Sequence, residues 1–292
     1  MRVIGIRILA VLVVLFGIRL AASEATAPQR VAALSYNIHH GEGMDKKIDL
    51  DRIAGVIRSA SPDVVALQEV DRKTKRSGGV DQAEELARLT GMKMIFGRTM
   101  DYQGGQYGNA VLTRLPIRAS SNHALPFTAG REPRAVLKVD LGAWAAGRAV
   151  AAAAQASDRS DASDRSDSSD ASSRSLFSFF ATHFDFSRES NDRLAATSEI
   201  AKLAAISRNV PALLAGDLNS TPGSPTLKAL GEIWRVAGEG KKLFTTPVAR
   251  PRSQIDFILY RPADRWKVVE VRVLDEAVAS DHRAILAVLE LQ

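Results

Sequence analysis

Short, strongly apolar runs separated by turn residues recur along this chain, and they constrain its fold more than any other feature. VAALSYN (31–37), VVALQ (64–68), KMIFG (93–97), NAVLT (109–113), RAVLKVDL (134–141) and LFSFFAT (176–182) are followed by PALLAG (211–216), IDFILY (255–260), WKVVEVRVL (266–274) and AILAVLEL (284–291). Runs of this length bounded by Gly, Pro, Asn and Asp read as buried strands. Between them lie helical patterns. LDRIAGVIRSA (50–60) places Leu50, Ile53 and Ile57 on one face behind a candidate N-cap, Asp49, and Ser61-Pro62 stops it. DQAEELARLTG (81–91) ends at Gly91, a candidate C-cap, and 187–207 reads as a long amphipathic helix. Many strands with few helices predict an α/β (α+β) fold built from packed layers. The closeness of the late strands predicts antiparallel pairing.

Polar groups sit at the ends of these runs. Asn37 follows VAALSY, Glu69 follows VVALQ, His183 follows LFSFFAT, and Asp217 and Asn219 follow ALLAG. Asp256 opens the IDFILY run, and Asp281 and His282 precede AILAVLEL. A strand end emerging into a polar loop is ordinary, but a whole set of such ends is where sites are built. Glu69, Asp281 and Asn37 are hard oxygen donors of the kind that suit Mg²⁺ or Mn²⁺. Asp256 and His282 make a carboxylate–imidazole pair that favours the imidazolium. Asp217 suits a base for a water nucleophile, with Asn219 to orient it. There are no cysteines, so disulfides, thiolate metal sites and a Cys nucleophile are excluded.

The segments LSYNIHHG (34–41), PDVVALQEVD (62–71), YGNAVLTRLPI (107–117), FFATHFDF (179–186), PALLAGDLNSTP (211–222), QIDFILY (254–260) and VASDHRAIL (278–286) together carry a family resemblance. The chain resembles the endonuclease/exonuclease/phosphatase superfamily, which includes deoxyribonucleases, apurinic endonucleases, sphingomyelinases and inositol polyphosphate 5-phosphatases. The resemblance implies a four-layer sandwich in which two packed mixed β-sheets are flanked by helices. It implies a catalytic set of Asp217, Asn219, His183, Asp256 and His282, with Glu69, Asn37 and Asp281 at a Mg²⁺ (or Mn²⁺) site. Asp217 would activate water for in-line attack on a phosphoester, and His183 and His282 would stabilise the transition state or protonate the leaving oxygen. The substrate class is left open between a small or lipid-derived phosphodiester or phosphomonoester and, as the alternative, nucleic acid. A non-catalytic binding protein of the same fold is disfavoured because every catalytic position holds a competent residue.

The two remaining regions differ in composition. MRVIGIR, the apolar ILAVLVVLFGI (8–18) and Ala25-Thr26-Ala27 form the pattern of a secretory signal over residues 1–27, which predicts a secreted or periplasmic protein. An uncleaved anchor is the competing reading, disfavoured because the run is short for a membrane span. Without Arg2, Arg7, Arg19 and Glu24 of that segment, the formal net charge of +6 falls by two to +4, which suits an anionic substrate without demanding one. Residues 28–292 are expected to form a single, monomeric catalytic domain. It is interrupted at 143–175 by SDRSDASDRSDSSDAS and its flanks, expected to be a disordered loop between paired strands. Several residues take plain readings: Asp71 as a solvated acid, Arg76 and Arg134 as exposed basic groups, Arg193 on a helix surface, and His39 and His40 pointing apart.

Overall fold

A computed structural model of the chain describes residues 29–143, 176–206 and 208–292. The predicted signal segment and nearly all of the low-complexity insert lie outside the described residues. Among the described residues, no helix is long and apolar enough to cross a membrane.

Two six-stranded mixed sheets pack face to face. The first contains β1 (Gln29–Asn37), β2 (Val64–Arg72), β3 (Lys93–Tyr102), β4 (Gly105–Thr113), β11 (Trp266–Val273) and β12 (Ile285–Leu291), in the order β11-β12-β1-β2-β4-β3. The second contains β5 (Ile117–Ala124), β6 (Ala135–Leu141), β7 (Phe177–His183), β8 (Ala212–Asp217), β9 (Arg235–Val236) and β10 (Asp256–Arg261), in the order β5-β6-β7-β8-β10-β9. Each sheet has one parallel pair at its middle. In the first, β1 runs to β2 through α1 (Leu50–Ala60); in the second, β7 runs to β8 through α3 (Asn191–Ile206). The other neighbours are antiparallel, including all the late strands.

Period-two alternation sorts the side chains into three cores. Val31, Ala33, Val64 and Ala66 of the first sheet meet Phe177, Phe179, Leu213 and Ala215 of the second in the central core. Leu34, Tyr36, Val65 and Leu67 face outward under α1 and α2 (Gln82–Thr90), against Ile53, Ile57 and Leu86. Phe180, Leu214 and Phe257 pack under α3 and α4 (Pro225–Gly231), against Ile200, Leu203 and Leu230. The layers therefore stack helix, sheet, sheet, helix. Asp49 caps α1 by accepting from the Arg52 N–H at 2.9 Å, and Gly91 ends α2 at φ 65°.

The structure departs from the sequence expectations in several places. β5, an exposed edge strand, carries no apolar alternation and escaped notice. So did α4, although Ser224 caps it and Pro225 opens it. α3 starts at Asn191 rather than 187, because residues 187–190 form a loop. Glu69 does not end β2. The strand continues to Arg72, and Glu69 sits at φ 59° in a one-residue bulge where the register with β4 shifts between Leu67 and Val70.

Candidate active site

The topology explains how distant residues converge. Asn37 ends β1, and His183 and Asp217 end the parallel pair β7 and β8, where they stand in register. Asp256 begins β10 directly opposite Asp217 because that pairing is antiparallel. His282 precedes β12, which runs antiparallel beside β1. The bulge in β2 turns Glu69 toward the same edge. All lie at the carboxyl ends of the parallel pairs, where open α/β sheets place their ligand crevices.

Asp217 is the hub. It is 2% exposed, and its Oδ1 accepts the backbone N–H of Asn219 at 2.9 Å. Its Oδ2 accepts from Asn37 Nδ2 at 3.2 Å and lies 3.5 Å from His183 Nε2 and 3.8 Å from His282 Nε2. Burial raises its pKa, the Asp256 charge adds to the rise, and His282 and the hydrogen bonds oppose it, leaving it at about 7. Asn219, at φ 43°, folds back so that its Nδ2 donates to the Phe184 carbonyl at 3.0 Å, while Leu218 between them is fully buried.

The two histidines occupy opposite electrostatic settings. Burial depresses His282, but the Asp256 carboxylate at 2.9 Å from Nδ1, with Asp217 and Asp281, overrides it and pushes the imidazolium up to about 10. Burial lowers His183 well below the ordinary range, and the charges of Arg134 and His282 reinforce this. Arg134 Nη1 lies 3.2 Å from His183 Nδ1. A guanidinium has only hydrogens to offer to Nδ1, while Nε2 stands 3.2 Å from the Asn219 side-chain Nδ2 and faces Asp217.

Glu69 Oε1 accepts from Asn37 Nδ2 at 3.0 Å, while Asn37 Oδ1 accepts the His39 N–H at 3.0 Å. Asn37 thus presents its nitrogen, not its oxygen, to the carboxylates. That nitrogen bridges the Glu69 and Asp217 carboxylates and holds them in place. Asp281 stands at the same edge, its Oδ1 3.4 Å from the Ser280 hydroxyl, which donates to the Asn37 carbonyl at 2.7 Å. No hydrogen bond among the described residues joins it to Glu69. Asp217, Asp256 and His282 form one group of metal-type donors whose ligand atoms lie within 4.8 Å of one another, and Asp256 Oδ1 is buried without a partner. The donor chemistry at this edge, carboxylates with one buried oxygen unsatisfied, is compatible with a hard divalent ion.

A cleft of about 270 Å³ opens over Glu69, Asp217, Asn219, His183 and His282. Its other walls were not legible in the sequence. Arg134 is 5% exposed, paired with Glu132 at 2.7 Å, and its Nε has no partner. Asp71 is fully buried and grips Arg76 through two bonds of 2.7 and 2.8 Å. That ion pair holds the Arg76 guanidinium over Tyr102 and Tyr107, at 4.7 and 5.6 Å from the ring centroids. Arg193 is buried and donates to the Asp185 and Ser187 carbonyls, tying down the loop after His183. Phe186, 68% exposed, stands at the mouth.

The family model described as Endonuclease/Exonuclease/phosphatase family matches residues 34–282, which spans every residue of this site. The chain belongs to that family. Its members are hydrolases acting on phosphoesters. The chain is 30% identical over 125 residues to the uncharacterised protein YbhP of Escherichia coli (strain K12), a match covering 40% of this chain and 49% of YbhP, so the chain spans about half the length of that relative. Solved structures share the fold. An endonuclease/exonuclease/phosphatase from Beutenbergia cavernae DSM 12333 superposes with a TM-score of 0.67 at 24% identity, covering 90% of this chain and 72% of that one. The Bacteroides thetaiotaomicron VPI-5482 mannosyl-6-phosphatase Bt3783 gives 0.66 at 17% identity over 89% and 99%. The human Nocturnin catalytic domain with bound sulfate anion gives 0.64 at 16% identity over 91% and 97%.

Proposed function

We propose that this protein is a divalent-metal-dependent phosphoesterase that hydrolyses a small or lipid-derived phosphoester by attack of water. The observation that carries the reading is the Asp217 carboxylate. It is buried at the floor of the cleft and poised to take a proton near pH 7, with one imidazolium and one neutral imidazole facing the same oxygen. Asp217 is the base that receives the proton of the attacking water, and the Asn219 amide keeps its carboxylate aligned. His282, charged and held by Asp256, offers its Nε2–H to the charge that develops on the phosphoryl group. His183 presents the Nε2 edge of a neutral ring from the other side, fixed by Arg134 and Asn219. Glu69 and Asp281 are the carboxylates for a Mg²⁺ or Mn²⁺ ion, with Asn37 orienting Glu69. When bound, such an ion supplies Lewis-acid stabilisation of the phosphoryl oxygens.

Size and lining favour a small substrate over nucleic acid. Arg76 and Arg134 offer charge for the phosphate, and Phe186, Met100 and Tyr102 an apolar rim for the group it is attached to. The leader-like composition of residues 1–27 places the enzyme outside the cytoplasm in this reading, acting as a monomer; cell fractionation tests the location. The purified protein assayed with Mg²⁺, Mn²⁺ or EDTA on an aryl phosphate, a bis-aryl phosphodiester, sphingomyelin and plasmid DNA tests the activity. Turnover of a small or lipid ester that EDTA stops is expected. Plasmid nicking alone would replace this substrate class with nucleic acid, and no turnover of any substrate would remove the enzyme reading.

A further inference from the structure

The loop after β1 brings two histidines that the mechanism above leaves unused, His39 and His40, beside Glu69 of β2. His39, His40 and Glu69 each offer a ligand atom, and these atoms lie within 4.8 Å of one another. Adjacent side chains on an extended strand would diverge. Here both histidines adopt the left-handed region, at φ 46° and 44°, and their ring centroids stand 4.5 Å apart at 63°. Glu69, the third member, is left-handed as well, at φ 59°. Such conformations are sparsely populated by residues other than glycine and persist where the surroundings enforce them, often at ligand sites. The surroundings do so: Ile38 is fully buried, and Gln82 of α2 donates to the His40 carbonyl at 2.7 Å.

The His39 ring is hydrogen-bonded in the way a metal-bound imidazole requires. Ligating histidines direct their second nitrogen to a carbonyl or carboxylate. His39 Nδ1 lies 3.1 Å from the Glu42 carbonyl oxygen, while His40 Nε2 stands 3.7 Å from the Glu42 carboxylate, a charge contact too long for a hydrogen bond. That bond leaves His39 Nε2 over, and His40 Nδ1 is buried without any hydrogen-bond partner. A buried polar atom with no partner is rare and calls for an occupant. One Glu69 carboxylate oxygen lies within 4.8 Å of a ring nitrogen of each histidine, and Oε1 also accepts from Asn37.

We propose that His39, His40 and Glu69 form a site for a first-row transition ion of the Zn²⁺ type. Two imidazoles and one carboxylate select such ions over Mg²⁺, which prefers oxygen ligands and keeps its water. Three protein ligands leave positions open to an exogenous oxygen donor. The site shares Glu69 with the Mg²⁺ or Mn²⁺ set proposed above but is defined by its imidazoles.

Co²⁺ is the probe, because imidazole coordination gives visible d–d bands and strongly shifted ring N–H resonances. The full chain, stripped with EDTA, is titrated with Co²⁺ in the presence of excess Mg²⁺. We expect one Co²⁺ per chain with shifted imidazole signals. His39→Asn and His40→Asn should each weaken binding at least about tenfold. Asn tolerates the left-handed backbone, so both variants are expected to fold, as circular dichroism will report. A wild-type complex without imidazole signals, or unchanged Co²⁺ affinity in both folded variants, would overturn the site. Turnover with Mg²⁺ is measured separately. Turnover without an imidazole-bound Co²⁺ removes this inference alone, and imidazole-bound Co²⁺ without turnover of any phosphoester removes the enzymatic reading alone.

Discussion

Asp217 and His282 share a buried space with Asp256, and their charges are set by one another. A base must be ionised to accept a proton, so kcat/KM should fall as pH drops through about 7, where Asp217 protonates. It should fall again as pH rises through about 10, where His282 loses its proton. A pH–rate profile checks both limbs. Asp217→Asn should reduce turnover by about two to four powers of ten. Its effect on stability should be of the opposite kind. The folded state holds the Asp217 pKa above its unfolded value, so ionising it costs stability progressively from about pH 4 to pH 7, and in full above that. Above pH 7 the variant should melt no lower than the wild type in calorimetry. Asp256→Asn removes the partner that keeps His282 charged, leaving burial less opposed. The His282 pKa should drop from about 10, read as a shift of its ring resonances in an NMR titration.

Elements carry the site by where they stop. The parallel pair β7 and β8 places His183 opposite Asp217, and it depends on Gly216, which sits across from Thr182. A Cβ at 216 would overlap the Thr182 carbonyl oxygen, an atom of the neighbouring strand that cannot move aside. Gly216→Ala should destabilise the protein by about 3 kcal/mol or more and depress activity with it, measured by denaturant melts. The α1 cap is a milder case. Asp49→Ala should cost about 1 kcal/mol, a fall in Tm of roughly 2–4 °C, without touching turnover. Strands and caps of this kind were readable because each has a local cause: apolar alternation, Asp before a helix, Gly after it. β5 and the bulge at Glu69 lack one. β5 owes its place to pairing with β6, and the bulge arises from a register shift against β4.

At the scale of the molecule, the two sheets each bring one parallel pair to a common edge, and the cleft lies between them. The hairpin of β6 and β7 is closed at its far end from this cleft: Leu141 pairs with Phe177, and the Leu176 N–H donates to the Leu141 carbonyl at 2.6 Å. The strand ends are therefore close enough for a short turn. Replacing residues 144–175 by a two-residue Asn-Gly turn should leave the melting temperature and the turnover number within error of the wild type. Loss of activity with an intact fold would give that segment a functional role.

The order of strands and helices, the layered α/β class and the polar groups at the strand ends were set by local pattern. Asp217, Asn219, His183, Asp256 and His282 were nameable because each follows or precedes a run that has to be buried. What surrounds them came only with the tertiary structure. Arg134 and Asp71 look like surface charges in sequence, yet one is buried against His183 and the other holds Arg76 over two tyrosines. Asn37 was nameable as a site residue, but which of its atoms faces Glu69 depends on the loop that folds His39 back onto it. Periodicity reports which face of a segment leaves water. It does not report which distant charges arrive in the same space, and those charges place the Asp217 and His282 pKa values where they are.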